Sequence, residues 1–186
     1  MKRFVALKNM KLIGSNLGVH IKRHLWPGRN TDIHEAIVSV NRNFKKKDGS
    51  VKFVSKEKEF VVKRLKKADL LMYHAPRFGV QVDMHQSILR AIRKSKSKLR
   101  IVPTLRLAIG AGEELLIRSK IDALSITQFS RTYPEQFERY WTEQVESHVE
   151  LKQLGFRVDP GAISPVKCED GLYHPMLIDF DSVEKI

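Results

Sequence analysis

Three observations predict an α+β fold: strand and hairpin patterns stand at both ends of the chain, helical periodicities lie between them, and the two do not alternate regularly enough for a parallel doubly wound sheet. The expected arrangement is N- and C-terminal strands and hairpins packed on three to four helices. A length of 186 residues with 42% hydrophobic content suffices for one core, so residues 1–186 read as a single domain.

Residues 4–13 mix β-branched, aromatic and basic side chains as a strand does, and Gly14, Ser15 and Asn16 supply a turn signal. A second breaker spans residues 26–30. Residues 33–43 fit a helix or a strand equally well. Asp48 and Gly49, between Phe44 and the partly alternating residues 51–54, mark the tip of a β-hairpin.

Ser55 has the chemistry of an N-cap, Glu57 and Glu59 suit a first turn, and Val61, Leu65, Ala68 and Met72 recur at helical spacing before Pro76. The spacing therefore predicts a helix, with Lys63, Arg64, Lys66 and Lys67 on its polar side. A second helix is expected over 83–95, Met84, Ile88, Ala91 and Ile92 facing inward and Arg90, Arg93 and Lys94 outward. Residues 99–109 read as extended around Pro103, and a further helix is expected to begin near Glu113.

The clearest helix begins at Pro134 and ends at Gly155, with Glu135 and Glu138 complementing its N-terminal dipole and Phe137, Trp141, Val145 and Val149 forming an apolar stripe. Glu143, Glu146 and Glu150 are expected to face solvent or a partner. Residues 169–171 then close a hairpin between 163–167 and 173–180, whose Pro165 and Pro175 belong on edge or interrupted strands.

Charge divides along the chain. Residues 1–110 hold 26 Lys+Arg against 7 Asp+Glu, and residues 111–186 hold 8 against 14. A basic half attracts polyanions, and an acidic half can receive the basic face of another copy. Three clusters carry the positive charge: Lys45, Lys46 and Lys47; Lys63, Arg64, Lys66 and Lys67; and Arg90, Arg93, Lys94, Lys96, Lys98 and Arg100. They are candidates for binding nucleic acid or an acidic partner, with Phe44, Phe53 or Tyr73 available to stack on bases. No helix-turn-helix, zinc-finger or RNP pattern accompanies them, so sequence-specific readout is not expected.

Asp179 and Asp181, two apart at the C-terminal end, would share a strand face, where paired carboxylates can hold a hard cation or bridge to the basic half. His20 and His24 have i, i+4 spacing, but Ile21 stands where a zinc-protease motif needs Glu. His74 and His85 flank a turn as surface or core histidines. The glycines at 14 and 18, and at 110 and 112, lack the spacing of phosphate-binding loops. The single Cys168 excludes an internal disulfide, and neighbouring Glu169 and Asp170 disfavour a thiolate.

These features imply no cofactor and assign no catalytic or metal-ligating residue. The expected role is a non-enzymatic assembly subunit of a nucleic-acid-containing particle, most concretely a tailed-phage head-to-tail or tail component that forms a homo-oligomer through its opposed charge halves. A non-specific nucleic-acid-binding accessory protein and a metal-dependent nuclease are the alternatives. Without a signal-peptide pattern or a membrane-length apolar run, the expected location is cytoplasm or virion.

Overall fold

The computed structural model describes residues 11–27, 31–65, 78–110 and 113–186. Its fold is α+β, with a five-stranded antiparallel sheet in the N-terminal part, three helices and small C-terminal hairpins. The strands are β1 (Lys11–Pro27), β2 (Thr31–Lys45), β3 (Val51–Leu65), β4 (Leu105–Gly110) and β5 (Glu113–Ser119), in the spatial order β1-β2-β3-β5-β4. Helix α1 (Phe78–Ser95) follows β3, while α2 (Ile126–Thr132) and α3 (Pro134–Gln153) follow β5. Two-stranded pairs β6 (Phe156–Val158) with β9 (Val183–Lys185), and β7 (Ile163–Lys167) with β8 (Tyr173–Leu177), complete the chain.

Several expectations need correction. The turn at residues 14–16 is instead part of β1, whose register against β2 shifts at three places, so irregular pairing accommodates the glycines without ending the strand. Residues 4–10 lie outside the described residues. The undecided 33–43 segment is strand. The helix expected from Ser55 is β3 up to Leu65, because those residues pair with β2 along their whole length and with β5 over 60–64. Pairing on both edges outweighs a helix-like charge pattern. Glu113 opens β5, not a helix, and Leu115, Leu116 and Ile117 pair with both β3 and β4. The C-terminal strands form only small two-stranded hairpins, so the expected arrangement of N- and C-terminal strands packed together on the helices is replaced by an N-terminal five-stranded sheet with these hairpins apart from it.

Other expectations hold. Gly49 takes φ 85° at the hairpin tip, where Asp48 accepts from the Ser50 amide at 2.9 Å. Gly155 takes φ 87° after α3 and its N–H donates to the Lys152 carbonyl at 3.0 Å, satisfying a terminal helix acceptor. Pro165 pairs with Pro175 in the two-stranded β7–β8 unit, where missing amide donors can face away from the ladder.

The main core lies between the sheet, α1 and the C-terminal segment. It contains Phe78 and Ile88 from α1, Leu105 and Leu116 from the sheet, Leu151 from α3, and Ile163, Leu177 and Phe180. Burying each such side chain contributes about 1.5–3 kcal/mol before entropic costs. A second, aromatic cluster joins α2, α3 and β8: Phe129 lies 4.9 Å from Tyr140 and 5.2 Å from Tyr173, ring centre to ring centre. The expected α3 stripe does not enter either core as a unit. Trp141, Val145 and Val149 are about half exposed, and Tyr140, Gln144 and Leu151 are the buried residues. A row spaced strictly by four residues drifts around a helix of 3.6 residues per turn, so its later members leave the core face. Glu143 also departs from expectation, because it is half-buried and bonds inward to Arg139 and His174.

Candidate phosphate and cation site

Lys63 stands on β3 between Ile33 of β2 and Leu116 of β5, so its side chain leaves the sheet among apolar neighbours. Its side chain is only 8% exposed, and its Nζ donates to Asp179 Oδ1 at 2.9 Å and lies 3.9 Å from Asp181 Oδ2. The carboxylates are 39% and 43% exposed. The ammonium is therefore inside, and the acids form an approachable rim.

The C-terminal end of the chain holds this geometry through Phe180. That ring is buried under α1, meeting His85 edge-on at 5.2 Å, while His85 Nε2 donates to the Val102 carbonyl at 2.8 Å. The amides of Ile178 and Asp179 both donate to the Ala162 carbonyl, at 3.0 and 3.2 Å. Asp179 and Asp181 thus flank an anchored residue. They do so in the irregular stretch after β8, which ends at Leu177, rather than by alternation along a strand as the sequence suggests.

Two further groups enter. Arg118, on β5 opposite Val61, is buried and donates from Nη1 to the Ile178 carbonyl at 3.1 Å. Its Nε has no hydrogen-bond partner among the described residues. Gln81 of α1 donates from Nε2 to Asp181 Oδ1. Burial raises the Asp179 pKa, but the charge and hydrogen bond of Lys63, with the charge of Arg118, reverse this and hold it below the ordinary value. Asp181 moves the other way: burial, then repulsion from Asp179, outweighs Lys63 and pushes its pKa up.

Among the described residues no three His, Cys, Asp or Glu side chains converge as a metal cage. Two adjacent carboxylates nevertheless fit magnesium, which commonly takes one or two protein carboxylates and completes its shell with water and phosphate oxygens. Lys63 and Arg118 add positive charge suited to those phosphates.

Sequence reasoning singled out Asp179 and Asp181 but assigned Lys63 to an exposed helix face, and it passed over Arg118 and Gln81. The three basic clusters named from the sequence lie on different elements. Lys45, Lys46 and Lys47 are exposed at the end of β2 and its turn. Arg64 is half-buried on β3, whereas Lys66 and Lys67 lie outside the described residues. Arg90, Arg93 and Lys94 are exposed on the last turns of α1, and Lys96, Lys98 and Arg100 are exposed just beyond it.

The remaining candidates do not join this site. His20 and His24 lie on β1, where His24 is 3.7 Å from Asp32. His74 lies outside the described residues. Burial raises the Cys168 thiol pKa, and its Sγ lies 3.6 Å from the Val166 carbonyl, the environment of an unreactive thiol. Gly14 and Gly18 are strand residues, and a Cβ on Gly18 would meet the Ser39 hydroxyl at 2.5 Å.

No protein-family model and no curated protein matches the chain. Among solved structures it is similar to "PpkA-294 apo form" at 14% identity and a TM-score of 0.46, covering 88% of this chain and 58% of that one. The chain thus spans less than two thirds of that protein's length, and a likeness at this level carries no functional argument. Among the described residues no helix is long and apolar enough to cross a membrane.

Proposed function

We propose that Lys63, Asp179 and Asp181 bind the phosphates and magnesium of a nucleoside triphosphate. The observation that carries this reading is the buried Lys63 ammonium 2.9 Å from the first of two rim carboxylates. Incoming phosphates would take over the Lys63 contact, and magnesium would replace it as the cation beside Asp179 and Asp181. Protein kinases divide the work similarly: a lysine on the third sheet strand bears on the phosphates, and the aspartate of an Asp-Phe-Gly triplet holds magnesium. Here Val61-Val62-Lys63 lies on β3, and Asp179-Phe180-Asp181 follows β8. This is an analogy of site chemistry and supports binding rather than transfer. Residues 149–173 contain no His or Asn, so the His-Arg-Asp-to-Asn pattern of a kinase catalytic loop is missing, and α1 supplies Gln81 rather than a glutamate.

Titration calorimetry with ATP and magnesium should give saturable binding that disappears on chelation and in Lys63→Met and Asp179→Asn proteins. The folded wild type failing to bind at millimolar nucleotide would reduce Lys63–Asp179 to a structural ion pair.

Assembly through the acidic half is a second reading. It is favoured by the exposed Trp141, Val145 and Val149 beside Glu138 and Glu146 on α3. In this reading that face receives the basic half of another copy, as a subunit of a nucleic-acid-containing particle would require. Light scattering at low and high salt tests it: a salt-sensitive oligomer lost in Trp141→Glu supports the contact, and a salt-indifferent monomer removes it.

A further inference from the structure

The first three strands extend well past the rest of the sheet. β2 pairs with β3 over their full length and with β1 through Lys45, but β3 meets β5 only between Phe60 and Arg64. Residues 51–59 therefore project as part of a three-stranded tongue, about 30 Å long at the usual rise per residue.

Its two faces differ. Val51, Phe53 and Ser55 alternate onto one face, where Asn43 lies opposite Phe53, Asn41 opposite Ser55, and Asn16 opposite Asn41. Phe53 is 63% exposed, with the exposed Val51 beside it along the strand and Asn43 across from it, and Glu57 is an acidic side chain farther along the same face. Lys45, Lys46 and Lys47 stand exposed at the same end. Arg42, Lys52, Lys56 and Lys58 are exposed on the opposite face and raise the potential of the whole tongue.

We infer that the Phe53 face of this tongue binds single-stranded nucleic acid. Phe53 offers a stacking platform for a base, Asn16, Asn41 and Asn43 offer donors and acceptors for base edges, and Lys45, Lys46 and Lys47 neutralise adjacent phosphates. A single strand fits better than a duplex. Three strands spaced by about 4.8 Å already span about 10 Å between outer backbones before side chains are added, too broad for the roughly 12 Å major groove. The surface is separate from the Lys63 site, and the inference does not rest on nucleotide binding there.

Fluorescence anisotropy with labelled oligo-dT and oligo-U of about 15 nucleotides tests it, with a duplex of equal length and heparin as competitors. The expected result is salt-sensitive binding of the single strands. Phe53→Ala should weaken it about tenfold, the scale of one lost stacking contact, while Phe53→Tyr retains it. Replacing Lys45, Lys46 and Lys47 together by Gln should lower the log–log salt slope by about 2. Lys63→Met should leave oligonucleotide binding intact, which separates this test from that of the nucleotide site. No binding at low salt, equal affinity for heparin or duplex, or indifference to Phe53→Ala in a folded protein would each overturn the inference.

Discussion

Lys63 Nζ and Asp179 Oδ1 meet at 2.9 Å although 116 residues separate them in the chain. The pair fastens the C-terminal segment to the middle of the sheet. Lys63→Met and Asp179→Asn should each be destabilising, Lys63→Met by about 2–3 kcal/mol, less than the loss of a fully buried pair because Asp179 retains contact with water. The double variant Lys63→Met with Asp179→Asn should recover part of that loss. Urea unfolding of the single and double variants checks this, and strictly additive losses would mean that the two groups are not coupled.

Asp181 should behave in the opposite sense. Its raised folded-state pKa means that the native protein binds a proton more tightly than the unfolded chain, so stability falls as pH rises from the ordinary 3.8 through the folded value. Asp181→Asn should therefore raise the urea midpoint at neutral pH, with the gain shrinking on acidification. If the site is a magnesium site, added magnesium should stabilise the wild type and not this variant. A lower midpoint for the variant at pH 7 would contradict the argument.

Acid should weaken the sheet surface through Glu59. Hydrogen bonds from Lys22 and Lys120 hold its pKa at about 2, down from 4.5. Because the folded value is depressed, the contribution is complete above 4.5 and is lost as pH falls toward about 2. Glu35, bonded by Lys120 and Arg23, shifts in the same direction. Lys120→Ala should flatten the pH dependence of stability in this window, and high salt should shrink the difference because Lys120 and Glu59 are exposed. Identical slopes for the two proteins would show that the network contributes nothing.

Tyr140 is fully buried on α3, with its hydroxyl lacking a hydrogen-bond partner among the described residues. Its ring packs on Phe129, but the hydroxyl is desolvated without compensation. Tyr140→Phe should leave stability unchanged or raise it by up to about 1 kcal/mol, measured by the urea midpoint at constant slope. A clear loss would point to an ordered water on the hydroxyl.

The elements legible in the sequence were those whose signals are local. Asp48 and Gly49 supply their own turn chemistry, Pro134 and Gly155 bracket α3, and Glu169 to Gly171 separate the last hairpin strands. β3 was misread because Ser55, Glu57 and Glu59 resemble a helix start, while its strand character comes from partners at residues 31–45 and 115–119. The candidate site was half legible for the same reason. Asp179 and Asp181 stand two apart in the sequence, but nothing near Lys63 announces that it turns toward them. Arg118 and Gln81 reach the site only after β5 and α1 have docked.

Lys63 and Phe53 lie ten positions apart on one uninterrupted strand, so they share a face. Displacing β3 by a single position against β2 would reverse both at once, withdrawing the ammonium from Asp179 and turning the exposed ring to the lysine-bearing side. Fidelity of alignment at the Asp48–Gly49 tip thus governs two chemically unrelated surfaces together. An inserted or deleted residue at that tip is a far graver lesion than its exposure would suggest, whereas a longer loop that restores the original pairing is harmless to both.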